Sequence, residues 1–377
     1  MNQFLIKPKV QFGANALDFI SHMSAHHAFI VTDKAMVKFG LADEVTRRLT
    51  QSGITFSIYD DVKPDPDISA IVNGMKIMDM QYPDVVIALG GGSVIDAAKA
   101  VIYSLWHTKK DVSRVKPQFI AIPTTSGTGS EVTSFSVIKS QSEKLVLVDE
   151  FMLPDVAILD PALVKSVPAS ITADTGMDVL CHALEAYVSR TASDFSDALA
   201  EKAVQLVFGH LIDCYRDGSN LVAREKMHNA SCIAGMAFTN ASLGITHSLA
   251  HALGGVFHIP HGRANALLMA QVVAFNADLE GRCDNEAAKR YAHLAKNLSL
   301  PASTIREGVE SLIVAINVLK DEMNMPKGIQ ATGTNEFDFN ARLGEMVGQV
   351  LRDSCTPTNP RDVSKVQLEE LYRQSFQ

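Results

Sequence analysis

The chain has 377 residues, of which 47% are hydrophobic and 20% charged, a composition that excludes a disordered or fibrous protein and predicts two globular domains. Its net charge of −8 argues against a nucleic-acid-binding protein, because such proteins usually present a basic surface. Five scattered cysteines, an N-terminus interrupted by lysines and the lack of long uncharged apolar runs predict a cytosolic protein with no membrane contact.

The N-terminal part alternates short β-branched runs with helical patterns. Strands are predicted at 28–33, 55–61, 84–90, 119–125 and 156–160, with helices at 41–53 and 67–80 between some of them. Continuous apolar strands separated by helices indicate a parallel sheet covered on both faces. Two alternating runs around a polar turn predict a β-hairpin within 133–149.

The C-terminal part shows only the helical period of three and four residues. The clearest segments are 178–188, 196–212, 226–238, 286–298 and 305–323. The sequence therefore predicts a Rossmann-like α/β dinucleotide-binding domain over 1–165 and an all-α metal-binding and substrate domain over 166–377.

Glycines follow a buried strand and precede a helix at residues 90–92, where backbone amides and the helix dipole favour a phosphate. A capped helix with Ser93 and Asp96 is the simpler alternative. A second hydroxyl-rich loop, 123–133, follows another strand, although a generic polar loop has the same composition. The candidate ribose-binding acid, Asp33, lies upstream of the glycines, so the strand order must differ from the standard dinucleotide-binding sheet.

Two helical pairs, Asp178 with His182 and His247 with His251, are spaced four residues apart, and each pair therefore shares one helix face. A carboxylate with several imidazoles is a ligand set that suits a divalent transition metal. Burying these polar groups without partners would be costly, and one bound metal would satisfy them together. A hydrogen-bonded core histidine, or a local side-chain pair, explains each residue taken singly. Cys181 points about 100° away from its neighbour His182 on a helix and is not counted as a ligand.

The segments GGGSVIDAAKA, PTTSGTGSEVT, DTGMDVLCHALEAYVS and HSLAHALGG…PHGRANA occur in an order that resembles the iron-containing (group III) alcohol dehydrogenases. The resemblance implies a dehydroquinate synthase-like fold, an α/β nucleotide-binding domain followed by a helical one. It implies Fe²⁺, with zinc as second choice, held by four ligands: Asp178, His182, His247 and His261. It also makes His251 a candidate proton relay, and His258 is interpreted as a structural or surface residue.

The same resemblance implies an NAD(H) site, in which Asp33 favours NAD over NADP by repelling a 2′-phosphate. The expected cofactor-binding residues are Asp33, Gly91, Gly92, Ser93, Asp96, Thr124, Thr128, Thr133, Phe135, Val137 and Lys144. Phe238 is expected to line the alcohol pocket and to favour small apolar primary alcohols.

The predicted reaction interconverts small primary alcohols and aldehydes, with propanol or ethanol as the expected alcohol. Within the family, the motifs look closest to those of propanol and ethanol dehydrogenases of bacterial microcompartments. This similarity predicts a cytoplasmic or encapsulated location and possible microcompartment partner enzymes. Membership of the family would predict a homodimer or a larger homo-oligomer. The alternatives are a zinc glycerol-type dehydrogenase, a dehydroquinate-synthase-like lyase and a non-catalytic nucleotide-binding protein. Few Lys and Arg residues between 178 and 261 disfavour the lyase, and the intact ligand set disfavours the non-catalytic protein.

Overall fold

The structure is a computed structural model that describes residues 3–108, 115–140 and 143–377, without the side chains of 140, 143 and 144. It contains two compact units, Leu5–Ser166 and Val167–Gln377, the second of which also includes Gln3 and Phe4. Within the described ranges, no helix combines the length and apolarity that a membrane crossing requires.

The first unit is built from strands and helices that alternate along the chain. Its strands are β1 (Lys9–Phe12), β2 (His27–Val31), β3 (Thr55–Tyr59), β4 (Val85–Gly90), β5 (Gln118–Pro123), β6 (Phe135–Ser140), β7 (Glu143–Val148) and β8 (Val156–Leu159), and its helices are α1 (Lys34–Lys38), α2 (Leu41–Gln51), α3 (Ile68–Gln81) and α4 (Gly92–Thr108). Six of these strands form a parallel sheet in the order β1-β8-β5-β4-β2-β3, while β6 and β7 pair as an antiparallel hairpin. The predicted fold class is confirmed.

The centre of the sheet explains its apolar strands. Ile87 of β4 pairs with Ile30 of β2 on one side and with Ile120 of β5 on the other, and all three side chains are fully buried. Helices cover both faces, so neither face selects polar residues. Because β2 and β4 are neighbours, the residues that follow them meet at one edge of the sheet, even though Asp33 precedes the glycines in sequence.

Strand β1 was not predicted from the sequence. Its four residues, KVQF, contain two polar side chains, and both ends of the strand are exposed. It pairs with β8 at the border of the sheet, where one neighbouring strand suffices. A strand this short and polar has no apolar run by which it can be recognised.

The second unit is helical, as predicted. Its helices are α5 (Ala169–Val188), α6 (Asp194–Arg216), α7 (Leu221–Ala241), α8 (Ile245–Phe257), α9 (His261–Asn276), α10 (Glu286–Asn297), α11 (Ile305–Glu322), α12 (Glu336–Val350) and α13 (Lys365–Gln374). Pro168 and Pro260 stand immediately before α5 and α9, where a missing backbone N–H costs nothing.

Helices α5 and α9 approach closely at Gly262. A Cβ atom on this residue would lie 2.0 Å from the carbonyl oxygen of Asp174 and 3.2 Å from the Cβ of Asp178. Arg263 fastens the same contact, since its guanidinium donates hydrogen bonds of 3.1 and 3.0 Å to the two carboxylate oxygens of Asp174. The first turn of α9 is thereby held against the middle of α5.

Gly262→Ala is expected to lower the free energy of unfolding by about 1–3 kcal/mol or more, because backbone atoms cannot yield to the added methyl group. The matched control is Gly209→Ala in α6, where a Cβ meets nothing within 4 Å and alanine should be neutral or stabilising. Chemical denaturation of both variants measures the difference. Equal stability of the two would contradict the close contact described for α5 and α9.

Candidate functional site

Helix α5 contributes two side chains of the candidate metal centre. Asp178 and His182 lie one turn apart in a segment of α5 that is buried from Gly176 to Val188. Burial all around this segment explains why its apolar pattern is nearly continuous, so that the few polar residues within it stand out.

Helices α8 and α9 contribute the remaining histidines. His247 and His251 lie one turn apart on α8, and His261 is the first residue of α9. Helix α8 ends because His258 adopts the left-handed conformation, with φ of 56°, and Pro260 follows two residues later. This short turn lets α9 begin where its first side chain meets His247. His258 thus has a structural position at a helix end.

Three of the four predicted ligands converge. The Oδ1 atom of Asp178 lies 3.7 Å from Nε2 of His247 and 3.4 Å from Nε2 of His261. These three atoms fall within 4.8 Å of one another, the separation that ligands of one metal ion require. The amide nitrogen of Asn265 lies between them, donating to Asp178 at 2.7 Å and approaching the two imidazole nitrogens at 3.3 and 3.2 Å.

His182 lies beside this group but is not part of it. Its ring stacks between those of His247 and Phe238, with centroid separations of 4.6 and 4.5 Å. Its Nδ1 atom is buried and has no hydrogen-bond partner among the described residues. A buried imidazole nitrogen without a partner is costly, and a bound cation next to Asp178 is one way to satisfy it.

The donor set fits a divalent metal in its protonation states as well. Burial raises the pKa of Asp178, but the imidazoles of His182, His261 and His247 outweigh it and lower the pKa below its ordinary value. Burial, reinforced by His182, lowers the pKa of His247 well below its ordinary value. An ionised carboxylate and a neutral imidazole are the forms that bind metals. The lone pairs that now face the Asn265 amide are those that a cation would use.

The predicted relay residue has a carboxylate partner. His251 is partly exposed and donates through Nδ1 to Asp353 at 2.8 Å, while its ring stacks on His261 with centroids 5.3 Å apart. Asp353 also accepts hydrogen bonds from the Ser248 hydroxyl and the Cys355 amide. Burial raises the pKa of Asp353, but these donors, His251 foremost, lower it below its ordinary value. The ionised Asp353 fixes the orientation of the imidazole.

In the α/β unit, a cavity of about 520 Å³ opens where β2, β4 and β5 end. Five predicted residues line it, namely Asp33, Gly91, Gly92, Ser93 and Thr124. The first turn of α4 begins there, which suits a phosphate.

Asp33 caps a helix at the border of this cavity. Its Oδ1 accepts hydrogen bonds from the amides of Ala35 and Met36, and the residue is therefore the N-cap of α1. Asp60 and Asp61 line the same cavity, together with Lys34, which pairs with Asp61 at 3.1 Å. Lys63 lines the cavity too, so its three carboxylates are partly offset by two ammonium groups.

Other predicted cofactor residues are engaged within the protein. The carboxylate of Asp96 accepts from the Ser130 hydroxyl at 2.6 Å and from the Val137 amide at 3.0 Å. Thr133 and the carbonyl of Phe135 accept from a buried lysine described next. Their contact with a dinucleotide stays a prediction.

Thr128 packs against Gly92, so it lies beside the glycine loop. The side chain of Lys144, on β7, lies outside the described residues.

The buried lysine is Lys99 on α4. Its ammonium donates to Ser130, Thr133 and the Phe135 carbonyl at 3.0, 2.9 and 2.7 Å, which ties α4 to the loop after β5. Burial lowers its pKa to about 8 although Asp96 opposes the shift.

Sequence reasoning missed several polar residues of both sites. Asn265 lies four residues after His261 and Glu185 lies three after His182, so helical spacing alone marks both as facing the ligands. Asp353 stands 102 positions from its partner His251, and no local pattern reveals it.

Comparisons with known proteins match the whole length of the chain. Residues 7–161 match the family model described as "Iron-containing alcohol dehydrogenase", and residues 172–376 match "Fe-containing alcohol dehydrogenase family, C-terminal". The chain is 44% identical to the 1-propanol dehydrogenase PduQ of Citrobacter freundii, covering 98% of this chain and 100% of the relative.

Two further similar proteins also match this chain over nearly its whole length. The chain is 38% identical to an NADPH-dependent butanol dehydrogenase of Clostridium saccharobutylicum, covering 99% of this chain and 97% of that one. A crystal structure of a 1,3-propanediol oxidoreductase is 32% identical and superposes with a TM-score of 0.92 over 100% of both chains.

His261→Ala is expected to reduce bound metal from about one ion per chain to a small fraction, because it removes one of three converging donors. The measurement is elemental analysis after chelation and anaerobic refilling with Fe²⁺, with NADH binding followed in parallel and expected to persist. The control is His293→Ala on α10, whose side chain is 55% exposed and pairs with Glu201 instead. Full metal content in His261→Ala would refute the assignment of His261 as a metal ligand.

Proposed function

The chain belongs to the iron-containing alcohol dehydrogenase family, and from that membership we propose that it interconverts small primary alcohols and their aldehydes. It is a metal-dependent alcohol dehydrogenase whose cofactors are Fe²⁺ and NAD(H). The observation that carries the metal-dependent chemistry is the convergence of ligand atoms from Asp178, His247 and His261 within 4.8 Å of one another.

The proposed metal ligands are Asp178, His182, His247 and His261. Three of them already converge, and the fourth is supported by the imidazole of His182, which lowers the pKa of Asp178 more than any other neighbouring residue does. When bound, Fe²⁺ supplies Lewis acidity that stabilises negative charge on an alcohol oxygen, and NAD⁺ supplies the hydride acceptor.

His251 is proposed to hold the proton exchanged with the substrate hydroxyl. Asp353 binds its Nδ1–H, which leaves Nε2 as the basic nitrogen. The side chain is 35% exposed, so a proton on it can pass to solvent. An imidazole suits this task because its ordinary pKa lies near neutrality.

Small apolar alcohols are the proposed substrates. Phe238 is buried against His182 and presents an aromatic surface, rather than hydrogen-bonding groups, beside the proposed ligands. Similar proteins, which include a 1-propanol dehydrogenase and a butanol dehydrogenase, support this substrate class. One relative of known structure is a 1,3-propanediol oxidoreductase, so a short diol is the second candidate.

The proposed preference for NADH over NADPH rests on Asp33, reinforced by Asp60 and Asp61 in the same cavity. A 2′-phosphate would add negative charge to a cavity in which three carboxylates outnumber the two lysines, Lys34 and Lys63. A homodimer or larger assembly, a cytoplasmic location and encapsulation in an aldehyde-processing microcompartment are proposed from the motif resemblance alone.

Anaerobically prepared, Fe²⁺-loaded protein is expected to oxidise NADH with propanal and butanal. The aromatic surface of Phe238 predicts a kcat/KM at least about tenfold lower for glycerol oxidation than for 1-propanol oxidation. NADH absorbance in an aldehyde and alcohol panel, including 1,3-propanediol, measures both. Preference for glycerol would favour the polyol dehydrogenase, and no turnover of any substrate would favour the non-catalytic alternative.

Asp33→Asn is expected to raise the NADPH-to-NADH ratio of kcat/KM at least about tenfold, since it removes the charge but keeps an oxygen that can cap α1. The control is Asp67→Asn, which makes the same change at the N-cap of α3, outside the residues that line the cavity. Steady-state kinetics with both cofactors measures the ratio. An unchanged ratio in Asp33→Asn would show that Asp33 does not determine the preference for NADH over NADPH.

A further inference from the structure

Glu185 is a buried carboxylate that the mechanism above does not use. It lies on α5 at seven residues from Asp178 and three from His182, so all three side chains share one helix face. Only 4% of its surface is exposed. A buried carboxylate is retained only where donors surround it, and its partners therefore show what it does.

All of its described donors come from the beginning of α8. Oε2 accepts from Nδ1 of His247 at 2.6 Å and from the amide of Gly244 at 2.9 Å, while Oε1 accepts from the amide of Thr246 at 2.6 Å. An anion at this helix end is also favoured by the helix dipole. Glu185 therefore binds both the backbone of α8 and the histidine that α8 presents.

The sequence makes room for this contact at Gly244. A Cβ there would lie 2.9 Å from Oε1 of Glu185 and 2.9 Å from Oδ1 of Asn359. Asn359 accepts from the amide of Ile245 at 3.3 Å, so the first amides of α8 are all bound by side chains. A side chain at 244 would therefore require the Glu185 carboxylate or the Asn359 amide to move.

The hydrogen bond has a consequence for the opposite side of the ring. Because a carboxylate only accepts, Nδ1 of His247 carries the hydrogen, and the Nε2 lone pair is left facing Asp178 and Asn265. Metal-binding histidines commonly have their second nitrogen fixed in this way by a carboxylate.

We propose that Glu185 is a positioning residue for the metal centre, which fixes the tautomer and the ring orientation of His247 and so presents its Nε2 to the ion. The inference rests on the proposed ligand role of His247. Replacing the carboxylate by an amide removes the negative charge and one of the two acceptor oxygens. One of the three donors from His247, Gly244 and Thr246 then loses its partner, and the hold on the Nδ1–H of His247 weakens.

The test is titration of chelated protein with Co²⁺, followed by its visible absorption, in wild type, Glu185→Gln and His247→Ala. Glu185→Gln is expected to lose about 10–100-fold in Co²⁺ affinity. The control, Glu201→Gln, makes the same change at a carboxylate that accepts from Tyr187 of α5 at 2.7 Å, and its affinity should be unchanged. Thermal unfolding of the metal-free proteins is measured alongside, because a purely structural cap would lower stability and leave the Co²⁺ affinity of the folded protein intact.

The outcomes separate the two proposals. Wild-type Co²⁺ affinity in His247→Ala would overturn the ligand assignment itself. Loss in His247→Ala but not in Glu185→Gln would overturn the positioning role alone. If Glu185→Gln fails to fold, Gly244→Ala decides: a loss of about threefold to tenfold supports the role, and unchanged affinity overturns it.

Discussion

The helical unit depends on one constraint: the carboxylate of Asp178 is buried among imidazoles, and it must be matched there by donors or by a cation. The fold meets this constraint by bringing α9 against α5 at Gly262, where no side chain intervenes. His261 and Asn265 reach Asp178 only because of that approach. The close packing of α9 against α5 therefore also determines which polar groups surround Asp178.

The sequence predicted the pairs Asp178–His182 and His247–His251 because each pair depends only on helical spacing, a local property. The sheet was predictable for a similar reason, since strands buried on both faces are continuously apolar. What escaped was tertiary contact between distant parts of the chain. Glu185 on α5 meets His247 on α8, and Asp353, which follows the end of α12, meets His251. Strand β1 escaped because four partly polar residues form no pattern.

The α/β unit shows a different limit of sequence reasoning. The sequence predicts ligand-binding groups among the hydroxyls and small residues after β5. In the structure Ser130 and Thr133 bind Lys99 inside the protein, and contact of Thr133 with a dinucleotide stays a prediction. Composition cannot distinguish a loop that faces a ligand from one whose polar groups face inward. The residues that line the cavity, by contrast, follow directly from strand ends, which is why Asp33, Gly91 and Thr124 were predictable together.

Lys99 has a consequence for how a dinucleotide would be received. Its ammonium fastens the Ser130–Thr133 turn and the start of β6 to α4 through three hydrogen bonds that need no ligand. The chain conformation there is accordingly settled during folding, and little disorder remains to be lost on association. The entropic cost of ordering this loop on nucleotide binding is therefore reduced, because Ser130, Thr133 and Phe135 are already held by Lys99.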